Sequence, residues 1–110
     1  MLSHDAPAPA GRRVEHLRAT NQAGWSATAL GYAAAGAERI TRAYDAVAPD
    51  ILFHGHFHLA EASRRPSGQR IISLNRDGEL GNVALLNLED LSVTALFRQP
   101  DDPRAVSLFA

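Results

Sequence analysis

The chain has 110 residues, a one-domain length, and a formal net charge of −1, so it carries no basic field to suit a nucleic-acid-binding surface. It has no cysteine, which excludes disulfides and thiolate metal sites. No apolar run approaches the ~20 residues of a membrane span, and the N-terminus lacks the charged start and apolar stretch of a secretory signal, so a soluble cytoplasmic protein is expected.

Met1-Leu2 reads as the last two residues of a strand, followed by a loop, Ser3-His4-Asp5-Ala6-Pro7, that places His and Asp directly after a strand end. Ligands gather at such positions in α/β proteins. Val14 to Thr20 is a candidate short helix, and Asn21 to Ser26 a turn around Gly24. The clearest helix follows. Leu30, Ala33, Ala37, Ile40, Tyr44 and Val47 recur at spacings of three and four, which makes one apolar stripe. Ser26 suits the N-cap, and Pro49 ends the helix by disfavouring helical geometry at Ala48. Arg39, Arg42 and Asp45 fall off the stripe and should face water. Gly31 and Gly36 weaken the helix by up to ~1 kcal/mol each, unless they serve close approach to a sheet.

Ile51 to Phe53 predict a buried strand. Residues 62–69, with Arg64, Arg65, Pro66, Ser67 and Gly68, read as a hairpin turn. Strands are predicted over Arg70 to Asn75, Asn82 to Leu88 and Ser92 to Phe97, with turns at Asp77-Gly78 and Glu89-Asp90. The pattern is α/β, one amphipathic helix plus a mostly antiparallel sheet. The domain covers residues 1–99 and the tail, residues 100–110, is expected to be irregular, with Val106 to Phe109 placed to dock.

The apolar strand ends in His54-Gly55-His56-Phe57-His58. On an extended backbone, side chains at alternate positions share one face, and a cation between them would offset the clustering of imidazoles. His16, on a polar segment, reads as a surface residue. His54-x-His56 with Glu61 and Gly68 also fits the spacing of a cupin's first metal motif, which would give a mononuclear His/Glu site. The glycine before the histidines and the second motif are both missing, and a long helix precedes the strand, all of which count against that barrel fold.

Gly55-His56-Phe57-His58 after an apolar strand resembles the Gly-His-x-His signature of calcineurin-like metallophosphoesterases. The lead-in from Tyr44 to Asp50 is similar, and Ser3-His4-Asp5-Ala6-Pro7 resembles the family's preceding single-histidine motif. The resemblance runs through residues 1–97. It implies metal-dependent hydrolysis of a phosphate ester, mono- or diester, by two divalent ions (Mn, Fe, Zn or Ni) about 3.5–4 Å apart. It implies that His4 and His56 bind one ion and that His58 binds the other, from across a turn that Gly55 permits. Asp5 would then orient His4, and His54 would support the site or the strand core. Arg64 and Arg65 are in reach of a phosphate only if they leave the solvated state usual for turn arginines.

The family's Asp-x-His, Gly-Asp and Gly-Asn-His motifs are absent, and Gly81-Asn82 is followed by Val83. With them go the carboxylates, the bridging ligand and the leaving-group acid, so no catalytic residue is assigned on this chain. The expectation is the C-terminal half of a four-layer α/β/β/α sandwich, completed by an N-terminal half or a complementing chain. The alternative is an inactive remnant or a regulatory metal-binding module. Either way, an apolar sheet face left bare would favour self-association.

Overall fold

The computed structural model describes residues 1–96 and 106–108. Two helices come first, α1 (Arg12–Thr20) and α2 (Ala27–Val47). Six strands follow: β1 (Ile51–His54), β2 (Glu61–Arg64), β3 (Arg70–Ser73), β4 (Val83–Leu86), β5 (Val93–Leu96) and β6 (Val106–Leu108). This is an α/β chain. Among the described residues no helix is long and apolar enough to cross a membrane.

Local chemistry sets the helix ends. The Ser26 hydroxyl accepts the Ala29 N–H at 3.2 Å and opens α2. Ala48 closes it in a left-handed conformation, its N–H donating to the Tyr44 carbonyl at 2.8 Å, and Pro49 prevents continuation. Between the helices, Asn21 clamps the turn by exchanging two hydrogen bonds with Trp25 through its side-chain amide. Arg39, Arg42 and Asp45 are exposed, as their position off the stripe requires. The stripe itself is covered only in its middle: Ala37 and Tyr44 are buried, whereas Val47 is 62% exposed and Leu30 lies at the surface. Gly31 has open space where a Cβ would stand, so it marks no close approach to a sheet.

The strands form two sheets where one mostly antiparallel sheet was expected. In the first, β3 is central, parallel to β1 and antiparallel to the edge strand β2. In the second, β5 lies between β4 and β6, antiparallel to both. β2 falls on residues read from sequence as part of a turn, which is confined to 65–69. Within the tail read as irregular, Val106–Leu108 pairs with β5, so the docking expected for that segment is seen and its irregularity is corrected there. The expectation for Phe97 lies outside the described residues.

Alternation along β1 explains the layering. Ile51 and Phe53 join Ile72 and Val93 in a core between the two sheets, with Leu74, Ala84 and Leu86 packed against it. Leu52 points the other way and joins Ile71 and Tyr44 of α2. Each of these buried side chains contributes roughly 1.5–3 kcal/mol of apolar burial. The histidine-bearing sheet is thus packed on one face against Tyr44 of α2 and on the other against the second sheet, while the outer side of β4 exposes Val83 and Leu85.

Candidate metal-binding site

The site is built where two parallel segments end. Met1 to His4 runs beside β1, with Phe53 N–H donating to the Met1 carbonyl, Ser3 N–H to Phe53 and Gly55 N–H to His4, each at 3.1 Å. Leu2 and Phe53 form a parallel bridge. Met1-Leu2 thus occupies the strand-end position read from its sequence. His4 leaves this ladder as β1 gives way to Gly55, so both segments deliver their next side chains to the same end of the sheet.

The three histidines do not share a strand face, because the extended backbone stops at His54. Phe57 N–H donates to the Gly55 carbonyl at 2.8 Å across His56, whose φ is 68°, a γ-turn with a left-handed centre. His58 is also left-handed, at φ 55°. The strained residues are the histidines themselves, and Gly55 does not have a positive φ. That corrects the role expected for this glycine. Such conformations cost on the order of 1–2 kcal/mol for a residue with a Cβ and persist where surrounding structure enforces them. Here the Ser73 hydroxyl pins the loop's far end by donating to the Leu59 carbonyl at 2.8 Å.

His56 Nδ1 stands 3.1 Å from His4 Nε2, across 52 residues of sequence, with the rings edge to face at 4.9 Å. Both side chains are exposed. His58 is exposed too, and among the described residues no group of three or more His, Asp or Glu side chains is placed to hold a metal ion. Of the three sequence-predicted ligands, the structure brings together His4 and His56 and leaves His58 apart from them.

His54 is 2% exposed. Its Nδ1–H donates to the Gly55 carbonyl at 3.0 Å, which leaves Nε2 as a buried acceptor with no hydrogen-bond partner among the described residues. Burial holds its pKa below the ordinary imidazole value, and the nearby Arg18 guanidinium acts in the same sense. It is a core histidine, facing the helix side of the sheet with Ser73. Asp5 does not orient His4: its carboxylate accepts the Ala6 N–H at 2.7 Å and lies 3.7 Å from Arg18.

Three side chains make contacts that the sequence does not report. Phe57 packs edge-on against both His54 and His56. Arg18 lies over the Phe57 ring at 5.1 Å and donates to the Ala6 and Pro7 carbonyls. Glu61 accepts the backbone N–H groups of Arg13 and Val14, so it caps α1 and does not join a His/Glu metal set. Arg65, expected to be solvated, is half-buried over the Tyr44 ring and donates to the Pro9 carbonyl. Arg64 donates to the Gly68 carbonyl within the hairpin.

The pair can be tested against a metal by its spacing. Two nitrogens about 2.0–2.1 Å from one ion subtend an angle of about 98° when 3.1 Å apart, between octahedral and tetrahedral values. Two imidazoles supply only part of one ion's coordination sphere, and among the described residues no third ligand joins them. They do not fit a complete two-ion centre, which needs carboxylates. Without an ion, the same spacing is that of a hydrogen bond in which one imidazole N–H donates to the other ring. No protein-family model, no curated protein and no solved structure matches this chain.

Proposed function

We propose that this chain carries the histidine half of a two-metal phosphoester hydrolase of the calcineurin-like class. The observation that supports the reading is the approach of His4 and His56 to 3.1 Å at the ends of neighbouring parallel segments. The Gly-His-x-His sequence and its position after a buried strand support it further. His4 and His56 would hold one ion and His58, set apart from them, would serve the other. Bound divalent ions would neutralise phosphoryl oxygens and lower the pKa of a bound water toward about 7. On this reading the fold is the C-terminal half of a four-layer α/β/β/α sandwich in a cytoplasmic enzyme. The carboxylates, the bridging ligand and the leaving-group acid come from residues outside these 110.

The proposal is tested by titrating the chain with cobalt and following its visible absorption. Weak binding of one equivalent is expected, lost in His4→Ala and in His56→Ala and retained in His16→Ala. Binding that survives both substitutions would sink the reading. Turnover of bis(p-nitrophenyl) phosphate with manganese should be negligible for the chain alone. Robust hydrolysis abolished by His58→Ala would overturn the half-site assignment.

A second reading, a regulatory metal-binding module, is favoured by the missing third ligand among the described residues. The two readings separate on complementation. A hydrolase half gains turnover when joined to a chain bearing Asp-x-His, Gly-Asp and Gly-Asn-His motifs, and a binding module does not.

A further inference from the structure

A cavity of about 380 Å³ opens beside the histidine loop, lined by Arg12, Arg13, His16, Leu17, Gln22 and Leu59. Leu59 directly follows His58 and is buried, so the floor of the cavity begins one residue beyond a proposed ligand. On α1, Arg12 lies one turn from His16 and Arg13 one turn from Leu17, so two neighbouring rows of the helix line the cavity. Gln22 adds an amide from the turn after the helix.

The residues that line the cavity include Arg12 and Arg13 and no acid. The nearby acids keep their charge but spend their hydrogen-bonding oxygens on other groups. Glu61 holds the N–H groups of Arg13 and Val14, and Glu15 takes the Ala10 N–H and the Arg18 guanidinium. Arg13 donates one of its N–H groups to the Ala60 carbonyl. Among the described residues, no hydrogen bond or ion pair engages the side chains of Arg12 or His16. Guanidinium forks suit phosphate oxygens, and the volume is that of a small-molecule site.

We propose that this cavity binds a phosphate group, the anionic end of a small organic phosphate whose apolar part rests on Leu17 and Leu59. Phosphate binding here stands on the cavity alone. Its use as a second anchor for a substrate at His4 and His56 rests on the hydrolase reading.

The test is calorimetric titration of the full chain, in EDTA and at low salt, with p-nitrophenyl phosphate and, separately, p-nitrobenzoate. Saturable binding of the phosphate is expected, weakened about tenfold in Arg12→Gln, the loss of charge-assisted hydrogen bonding, and more mildly in His16→Gln. Both residues are exposed, and circular dichroism checks that the variants keep the fold. Arg39→Gln, on an exposed face of α2, should bind as the parent does. The assignment is overturned by an absence of saturable binding, by full affinity in Arg12→Gln, by an equal loss in Arg39→Gln, or by equal affinity for the benzoate. A loss in His4→Ala matching that in Arg12→Gln would move the anion to the histidines and overturn it as well. Loss of cobalt binding in the same His4→Ala protein reports on the hydrolase reading separately.

Discussion

The Glu61 carboxylate accepts the backbone N–H of Arg13 at 2.9 and 3.1 Å, closing the amino end of α1 from 48 residues away. The N-cap position is Gly11, which has no side chain to do this. A Cβ on Gly11 would run into the Glu61 side chain. Glu61→Ala should therefore cost about 1–2 kcal/mol, the loss of a charged cap at a helix amino end. Gly11→Ala should cost a similar amount by displacing the same carboxylate. Urea denaturation of both variants and their combination checks this, and the double variant should fall well short of the sum.

The two helix glycines offer the opposite sign. Gly31 faces open space, and a Cβ on Gly36 would sit 3.5 Å from Asp5 Oδ2, an ordinary contact. Each substitution by alanine should stabilise the chain by up to ~1 kcal/mol through helix propensity. Thermal unfolding gives the sign directly, and a lowered midpoint for Gly31→Ala would contradict the open environment.

His56 holds a backbone of positive φ, at 68°. His56→Gly should be about 1 kcal/mol more stable than His56→Ala, because glycine adopts that conformation without a Cβ penalty. Both variants should lose cobalt binding. Equal stability of the two in urea denaturation would show that the γ-turn is not retained.

Tyr44 is fully buried between α2 and the first sheet, and its hydroxyl has no hydrogen-bond partner among the described residues. Tyr44→Phe should lie within about 1 kcal/mol of the parent, on the neutral or stabilising side, since it removes an unpaired buried polar group. Tyr44→Ala should cost about 3–5 kcal/mol through cavity formation and loss of the ring beneath Arg65. Denaturant midpoints separate the two.

The elements readable from sequence were those with local causes. Ser26, Pro49 and the spacing of Ala37, Ile40 and Tyr44 mark α2, and the apolar run at 51–53 marks β1. β2 was hidden because Glu61, Ser63 and Arg64 carry no apolar alternation; as an edge strand it needs little. The start of α1 depends on a carboxylate far along the chain, which no local pattern reports. Strand periodicity is likewise silent about partners, so the parallel pairing of β1 with β3 and the division into two sheets emerge only in three dimensions. At the site, the resemblance to the Gly-His-x-His signature named His4, His56 and His58 together, of which the structure brings together the first two. Alternate spacing misplaced the geometry, because it suggests a shared face only while the backbone stays extended, and here the chain turns after His54.

The ladder that ties Met1–His4 to Phe53–Gly55 consists entirely of main-chain hydrogen bonds. The place of His4 is therefore held by backbone that is indifferent to which side chain stands there. His56 differs, because it lies beyond the ladder in a turn of positive φ that glycine, asparagine or aspartate would adopt more readily than other residues. Substitution at position 4 thus leaves the strands beneath untouched, whereas substitution at position 56 acts on the turn as well as on the ring it carries.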